Sequence, residues 1–374
     1  MEYSNATLDA LRLVGDPFAD KVIADIEAAG EVDVVNLLIR HLITIKQSIP
    51  EQLPPAVQDY FKATDHPPPG VDYARLSRAV TFLQTHGMPI GFILSTGGLV
   101  ECFAAKKGVQ VLAATHRFDH PQRRIQETTQ FMLYLSSKES FTPRGKFIRC
   151  VQKIRLMHAA VRYLLLRSGT WPQTELGIPI CQEDLLGTVL IFAIGVLRGL
   201  ERIGLTVTDA QAEDYYYLWQ QVGRMLGVNP EIIPPTLSEA KALKDVMDQR
   251  HYGHSPEGVA LTKALLEYYE SLMPNAAFDG AMPALVRTLI GDTVATMMDI
   301  APISQEWVTT HALRLGSALD KADLHHALMR HIVEKLSYEL VVVHFYLTKG
   351  GIPFTFDIPD DLRVSWQLDT ASNT

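Results

Sequence analysis

Apolar positions recur every three to four residues along most of the chain. That spacing is the mark of helices laying one face on a core. Asp16 and Pro17 supply a cap and a first turn for a helix running to Ala29, where Gly30 ends it. A second amphipathic helix is expected over Asp33–Gln47. Pro50, Pro54 and Pro55 break the pattern, and HPPPG, His66–Gly70, reads as a stiff connector. Val71–His86 reads as a helix stopped by Gly87. A mostly apolar helix over Gly91–Lys106 follows, with Gly97 and Gly98 inside it. Paired glycines weaken a helix but admit a close neighbour, either another helix or a flat ligand. Gly108–Thr115 is a short apolar piece, and His120-Pro121 precedes a helix over Gln122–Leu135.

The longest amphipathic stretch is Arg144–Arg167, free of Pro and of Gly after Gly145. A loop rich in Gly and Pro, 168–179, leads to a buried helix over Glu183–Ile203. Its run LLGTVLIFAIGVL, Leu185–Leu197, is shorter than the roughly 20 residues a spanning helix needs. No transmembrane segment is therefore expected. Thr208 and Asp209 start a helix that ends at Gly227. Helices over Ser238–Gln249, Pro256–Leu272, Pro283–Met298 and Lys321–Leu347 follow, then an irregular tail. No alternation of strands with helices appears, nor a repeat at the solenoid periods of about 20–50 residues. The expected class is all-α, in a single domain. Residues 1–70 would form accessory helices, 71–300 the core, and 301–374 a C-terminal helix and tail.

Bulk properties narrow the function by exclusion. The 374 residues carry 34 basic and 42 acidic side chains, a formal charge of -8, and no run of Lys or Arg, so nucleic acid is not an expected partner. The three cysteines form no CxxC pair, which fits a reducing compartment. The N-terminus lacks a basic segment followed by an apolar one, so a cytoplasmic location is expected. Phosphate-loop, dinucleotide, nucleophile-elbow and HExxH motifs are missing, as is CxxCH.

Two spacings resemble metal sites. Asp248-x-x-His251 and Asp323-x-x-His326 each place a carboxylate and an imidazole on one helix face, as di-iron bundles do. Both pairs sit in polar surroundings, DQRHYGH and DKADLHHALMRH, where solvated helix faces are the simpler reading. His116 and His120 fail as a pair, because Pro121 pushes the residue before it out of the helical region.

The long stretch carries the most unusual pattern. Ile148, Val151, Arg155, His158, Arg162 and Leu165 share one side, so a histidine lies between two arginines on the stripe that should enter the core. Guanidinium groups are not buried cheaply without anions. One reading is a core histidine with both arginines paired to carboxylates elsewhere. The other is a b-type haem, with the imidazole on iron and the arginines on the propionates.

The segment KIRLMHAAVR resembles the haem-ligating helix of the latex-clearing rubber oxygenases and related MpaB-type oxygenases. RRIQETTQF, Arg123–Phe131, is similar to that family's distal helix. YLWQQVGRMLGVNPEIIPPTLSEA, Tyr217–Ala240, resembles its Trp-containing helix and proline turn, and LVRTLIGDTVA, Leu285–Ala295, a late helix. The resemblance implies a globin-like helical core with additional N- and C-terminal helices, and haem b as cofactor. It makes His158 the iron ligand, with Arg155, Arg162 and Arg287 as further haem contacts. On the distal side it implies Arg124 and Thr128. Some rubber oxygenases have a lysine before that threonine, where this chain has Glu127. Glu101, the only charge between Gly87 and Lys106, is either a candidate for proton transfer or the partner of a nearby Lys or Arg.

The expected function is a haem b-dependent oxygenase acting with dioxygen on an apolar, unsaturated or isoprenoid-like small molecule. Two alternatives stand beside it: a non-haem di-iron carboxylate enzyme, and a haem or apolar-ligand binding protein without catalysis.

Overall fold

The computed structural model describes residues 3–33, 42, 44–115, 121–272, 280–302 and 333, leaving aside the side chains of Arg123 and Arg124. Every described element is helical, apart from one isolated bridge between Ala105 and Tyr252. The helices expected over Asp33–Gln47 and Lys321–Leu347, the irregular tail, and Asp323 and His326 lie outside the described residues or nearly so.

Helix α1 is Asn5–Leu11, and α2 is Pro17–Ala29. Asp16 caps α2 by accepting from the Ala19 N–H, and Gly30 ends it in the left-handed region at φ 69°. Helix α3, Pro55–Ala63, forms where the prolines suggested only a break. Pro55 stands at the first helical position, where its missing N–H costs nothing.

Helix α4 is one column, Tyr73–Ala104. Gly87 does not stop it. The column kinks at His86, continues through Pro89, and widens into a π-turn at Leu94–Gly98. By length and apolarity this column could cross a membrane, which the reading of Leu185–Leu197 as the longest apolar run overlooked. Its most apolar window is 67% buried inside the fold, as in a core helix.

Helix α5 is Val109–Ala114, α6 is Pro121–Leu135 and α7 is Phe147–Arg167. Helix α8 spans residues 182–202, as Gln182–Leu190, a π-turn Ile191–Gly195, and Val196–Arg202. Helices α9, Asp209–Met225, and α10, Leu237–His251, each open on a capping box, Thr208 with Gln211 and Thr236 with Glu239. Helix α11 is Pro256–Ser271. The stretch read as one helix over Pro283–Met298 is two, α12 Ala281–Ile290 and α13 Asp292–Met297. They part at Gly291, whose φ of 85° an α-helix does not admit.

The main core is shared by α4, α6, α8, α9, α10, α11 and α12, with the start of α7. A smaller core lies on the other side of α7, where Leu156, Ala159 and Ala160 meet α2 and α3. Helix α7 is therefore a wall between two apolar bodies. The paired glycines of α4 serve helix packing: a Cβ on Gly97 would stand 3.0 Å from that of Leu289 on α12.

Candidate functional site

A cavity of about 320 Å³ opens between α4, α5, α6, α7, α8, α9 and α10. Most of its wall is apolar, from Phe131 on α6, Ile154, Met157 and Val161 on α7, Phe192 on α8 and Trp219 on α9. His158 lines the same wall, and so does Thr128 on α6. The structure thus brings the expected ligand and one expected distal residue to a single chamber. Arg124 lies on α6, one helical turn before Thr128.

The two arginines of α7 do not line it. Arg155 donates from Nε to Asp16 Oδ2 at 2.5 Å and from Nη2 to Asp16 Oδ1 at 2.8 Å. Arg162 pairs with Asp20, 2.8 Å from Nη2 to Oδ1, and donates from Nη1 to the Ile180 carbonyl at 2.7 Å. Helical rotation explains the departure from the propionate expectation. Ile154, Met157 and Val161 centre on a direction about 100° away from Arg155 and Arg162, and His158 sits on the border between them. The arginines face the seam with α2, and the acidic partners that the stripe required are Asp16 and Asp20. Arg287 is also spent elsewhere. It pairs with Asp292 at 2.7 Å and donates to the Ile300 carbonyl at 2.8 Å, tying α12 to α13.

One end of the cavity is polar, and the Asp248 and His251 pair of α10 belongs to it. Lys244, Asp248, His251, Tyr252, Glu183 and Asp184 line it. Lys244 is 2% exposed, and its Nζ meets Glu101 Oε2 at 2.8 Å, Asp248 Oδ1 at 2.6 Å and the Tyr252 hydroxyl at 3.0 Å. Tyr252 in turn donates to Glu101 Oε2 at 2.9 Å. Glu101 lies behind the wall that Lys244 and Tyr252 form, paired with Lys244, and reaches the cavity through them. Burial pushes the Asp248 carboxyl above the usual carboxylate range and the Glu101 charge adds to this, against the pull of Lys244. Burial likewise pushes the Tyr252 hydroxyl well up. The surroundings of Asp248 read as a solvated helix face, yet Lys244 at spacing i,i+4 turns that face inward. This spacing was the signal available in the sequence.

Glu183 is fully buried. Arg12 Nη1 lies 3.1 Å from its Oε2, while Arg250 Nε and His251 Nε2 lie 2.8 and 2.9 Å from its Oε1. Burial opposes its ionisation, but the bonds and charges of His251, Arg250 and Arg12 outweigh burial and hold its carboxyl below the usual range. Asp248 and His251 thus serve cationic and carboxylate partners of the protein. Among the described residues no group of three or more His, Cys, Asp and Glu could hold a metal ion. A bare ion needs such a group. Among the described histidines, His158 alone faces the apolar part of the wall, and a single imidazole could serve only an iron already held by a macrocycle.

The structure is a helical fold closed around a largely apolar chamber, with the His158 imidazole in its apolar wall and His251 at its polar end. The family model described as "ER-bound oxygenase mpaB/B'/Rubber oxygenase, catalytic domain" matches residues 83–320. The rubber oxygenase of Streptomyces sp. (strain K30) is 32% identical over 303 residues, 79% of this chain and 74% of that protein. The solved structure of latex clearing protein LCP in the closed state superposes with a TM-score of 0.76 at 27% identity, covering 93% of this chain and 95% of that one. The chain belongs to the MpaB and rubber oxygenase family, and is an oxygenase of that family.

Proposed function

We propose that the protein is a haem b-dependent oxygenase that uses dioxygen on an apolar, unsaturated or isoprenoid-like small molecule. The observation that carries this reading is His158, placed in the wall of an apolar chamber with Thr128 on a neighbouring wall. His158 would hold the iron, and Ile154, Met157, Val161, Phe131 and Trp219 would pack on the macrocycle and substrate. When bound, the haem supplies the redox chemistry by which dioxygen is activated. The chain does the rest. The apolar walls exclude water and take up hydrocarbon at roughly 25 cal/mol per Å² buried. The Thr128 hydroxyl offers a hydrogen bond to a polar atom in the chamber, and the Glu101 and Lys244 network holds an exchangeable proton beside it. The curated relative named a rubber oxygenase supports a hydrocarbon substrate. A chamber of about 320 Å³ suits a small molecule or the end of a longer one.

The test is an absorption spectrum of the purified protein, followed by oxygen-dependent turnover of short isoprenoid alkenes. The reading requires an intense Soret band and an oxidised product. A protein with no Soret band after haem reconstitution sinks it. A Soret band without turnover of any unsaturated substrate leaves a haem-binding protein instead.

A further inference from the structure

The polar end of the cavity contains more charge chemistry than a chamber for hydrocarbon needs. Buried charged groups cost stability unless they are paired. Two carboxylates, Glu101 and Asp248, share the one buried ammonium of Lys244. The charged groups facing Asp248 are Lys244 on its own helix, Arg198 from α8 and, across Lys244, Glu101 from α4. Arg198 Nη1 stands 3.5 Å from Asp248 Oδ2, and its Nη2 is 2.6 Å from Asp245. Its side chain is 29% exposed and that of Asp245 60%, so this row of contacts reaches the surface. From Asp248 it runs inward through Lys244 to Tyr252, whose hydroxyl both accepts from Lys244 and donates to Glu101. Lys244, Asp248 and Tyr252 all line the cavity.

We propose that Asp248, Lys244 and Tyr252 form a proton relay from the surface beside Arg198 and Asp245 to the cavity, with Glu101 as its fixed counter-charge. The proposal rests on the oxygenase reading, because it gives the relay a reaction to serve. The step moves one proton and no electrons. The Tyr252 hydroxyl turns from Glu101 toward the chamber, and its O–H bond breaks as the proton passes to an acceptor there. A Lys244 N–H proton passes to the Tyr252 oxygen, and the Lys244 nitrogen is reprotonated through Asp248, whose carboxylate takes a proton from solvent and hands it on. Glu101 keeps Lys244 charged between transfers and holds the Tyr252 hydrogen until an acceptor enters the chamber. Tyr252 is the group that would meet the reacting molecule, while Asp248, Lys244 and Glu101 act through it as positioning residues.

Two near-isosteric variants, Asp248→Asn and Tyr252→Phe, test this with two readouts. The first is the protonated-carboxyl band in infrared difference spectra of the as-purified protein, titrated in light and heavy water. It needs no turnover. The component that grows in as Asp248 takes up a proton should be missing in Asp248→Asn, shift in Tyr252→Phe and persist in Asp25→Asn, whose carboxylate is at the surface. An unchanged band in Asp248→Asn overturns the relay. The second is the single-turnover rate with dioxygen and an alkene across pH. Both variants should keep substrate affinity and lose the solvent isotope effect and the pH dependence. Tyr252→Phe should slow the step about 100-fold, the scale of general acid–base catalysis. Wild-type pH profiles in both variants overturn the relay even if rates fall. No turnover in the wild type removes the oxygenase reading and the relay's task with it, while the infrared band still reports whether the network holds a proton.

Discussion

Arg155 grips Asp16 at two points, Nε to Oδ2 and Nη2 to Oδ1, across the seam between α7 and α2. Asp16 is also the cap of α2, so one carboxylate both starts a helix and binds it to the wall of the chamber. Both side chains are largely buried, at 14% and 4% exposure. Removing one partner of such a pair leaves the other charge without compensation and costs about 3–5 kcal/mol. Arg155→Met should therefore lower the stability of the haem-free protein by that order and leave haem affinity nearly unchanged. Denaturant unfolding and haem titration of the same variant check it. A large loss of haem affinity with intact stability would return Arg155 to the cofactor.

His158→Ala should lose haem, or hold it with a displaced Soret band. Loss of a group that merely supports a metal ligand costs about 10–100-fold in affinity, and loss of the ligand itself should exceed that. Haem content after reconstitution is the measurement. Full content with a wild-type spectrum would exclude His158 as the ligand.

Thr128→Val keeps the bulk of the side chain and removes its hydroxyl from the chamber. Haem content should stay at the wild-type level while oxygen-dependent turnover slows by about tenfold, the scale of one hydrogen bond worth about 1 kcal/mol or slightly more. Haem content and single-turnover rates decide it, and an unaltered rate removes Thr128 from the mechanism.

Glu183 gives a prediction in acid. Its folded-state carboxyl titrates below its unfolded value, because His251, Arg250 and Arg12 together overcome the effect of burial. The folded protein then binds fewer protons than the unfolded chain between the two values. The stability it contributes is present above the unfolded value, about 4.3, and is lost as pH falls through the folded one. Glu183→Gln should lose about 3 kcal/mol at neutral pH, and its stability should decline less steeply on acidification below about pH 4. Unfolding free energies measured down the acid limb test this, and parallel curves for the two proteins would contradict it.

Gly227 stands at φ 91° beside the same Asp16 and Arg155 pair, and a Cβ there would lie 2.8 Å from Arg155 Nε. Gly227→Ala should cost about 1–3 kcal/mol from the backbone alone, with a further loss from the opened ion pair. A melting temperature unchanged from wild type would show that the pair yields without strain.

Much of the architecture was legible because helix ends have local chemistry. The Asp16-Pro17 start and Gly30 stop of α2, and the Thr208 start of α9, are read from side chains that satisfy the exposed N–H and C=O groups. Helices α1 and α3 were not legible, one being short and the other hidden by the prolines that open it. At the site, the α7 pattern placed Arg155, His158 and Arg162 on one side. It did not show that the cavity stripe lies about 100° from the arginines, since that depends on which neighbours approach. Asp248 read as part of a solvated face, and Lys244 and Tyr252 gave no signal of their own, because a charged i,i+4 row on a polar helix looks solvated. Only the fold reveals Glu101 on α4 as the anion that draws Lys244 inward.

The π-turns at Leu94–Gly98 and Ile191–Gly195 each amount to one residue inserted into an α-helix, and everything after them is rotated by about 100°. Glu101 follows the first and Arg198 the second. Both groups therefore owe their aim to chain length as well as to residue identity. Deleting a single residue from either turn would restore an ordinary helix while swinging a charged side chain away from Lys244 or Asp248. An insertion or deletion here would rewire the chamber's polar end without changing one of its residues, a route to altered chemistry that point substitutions do not offer.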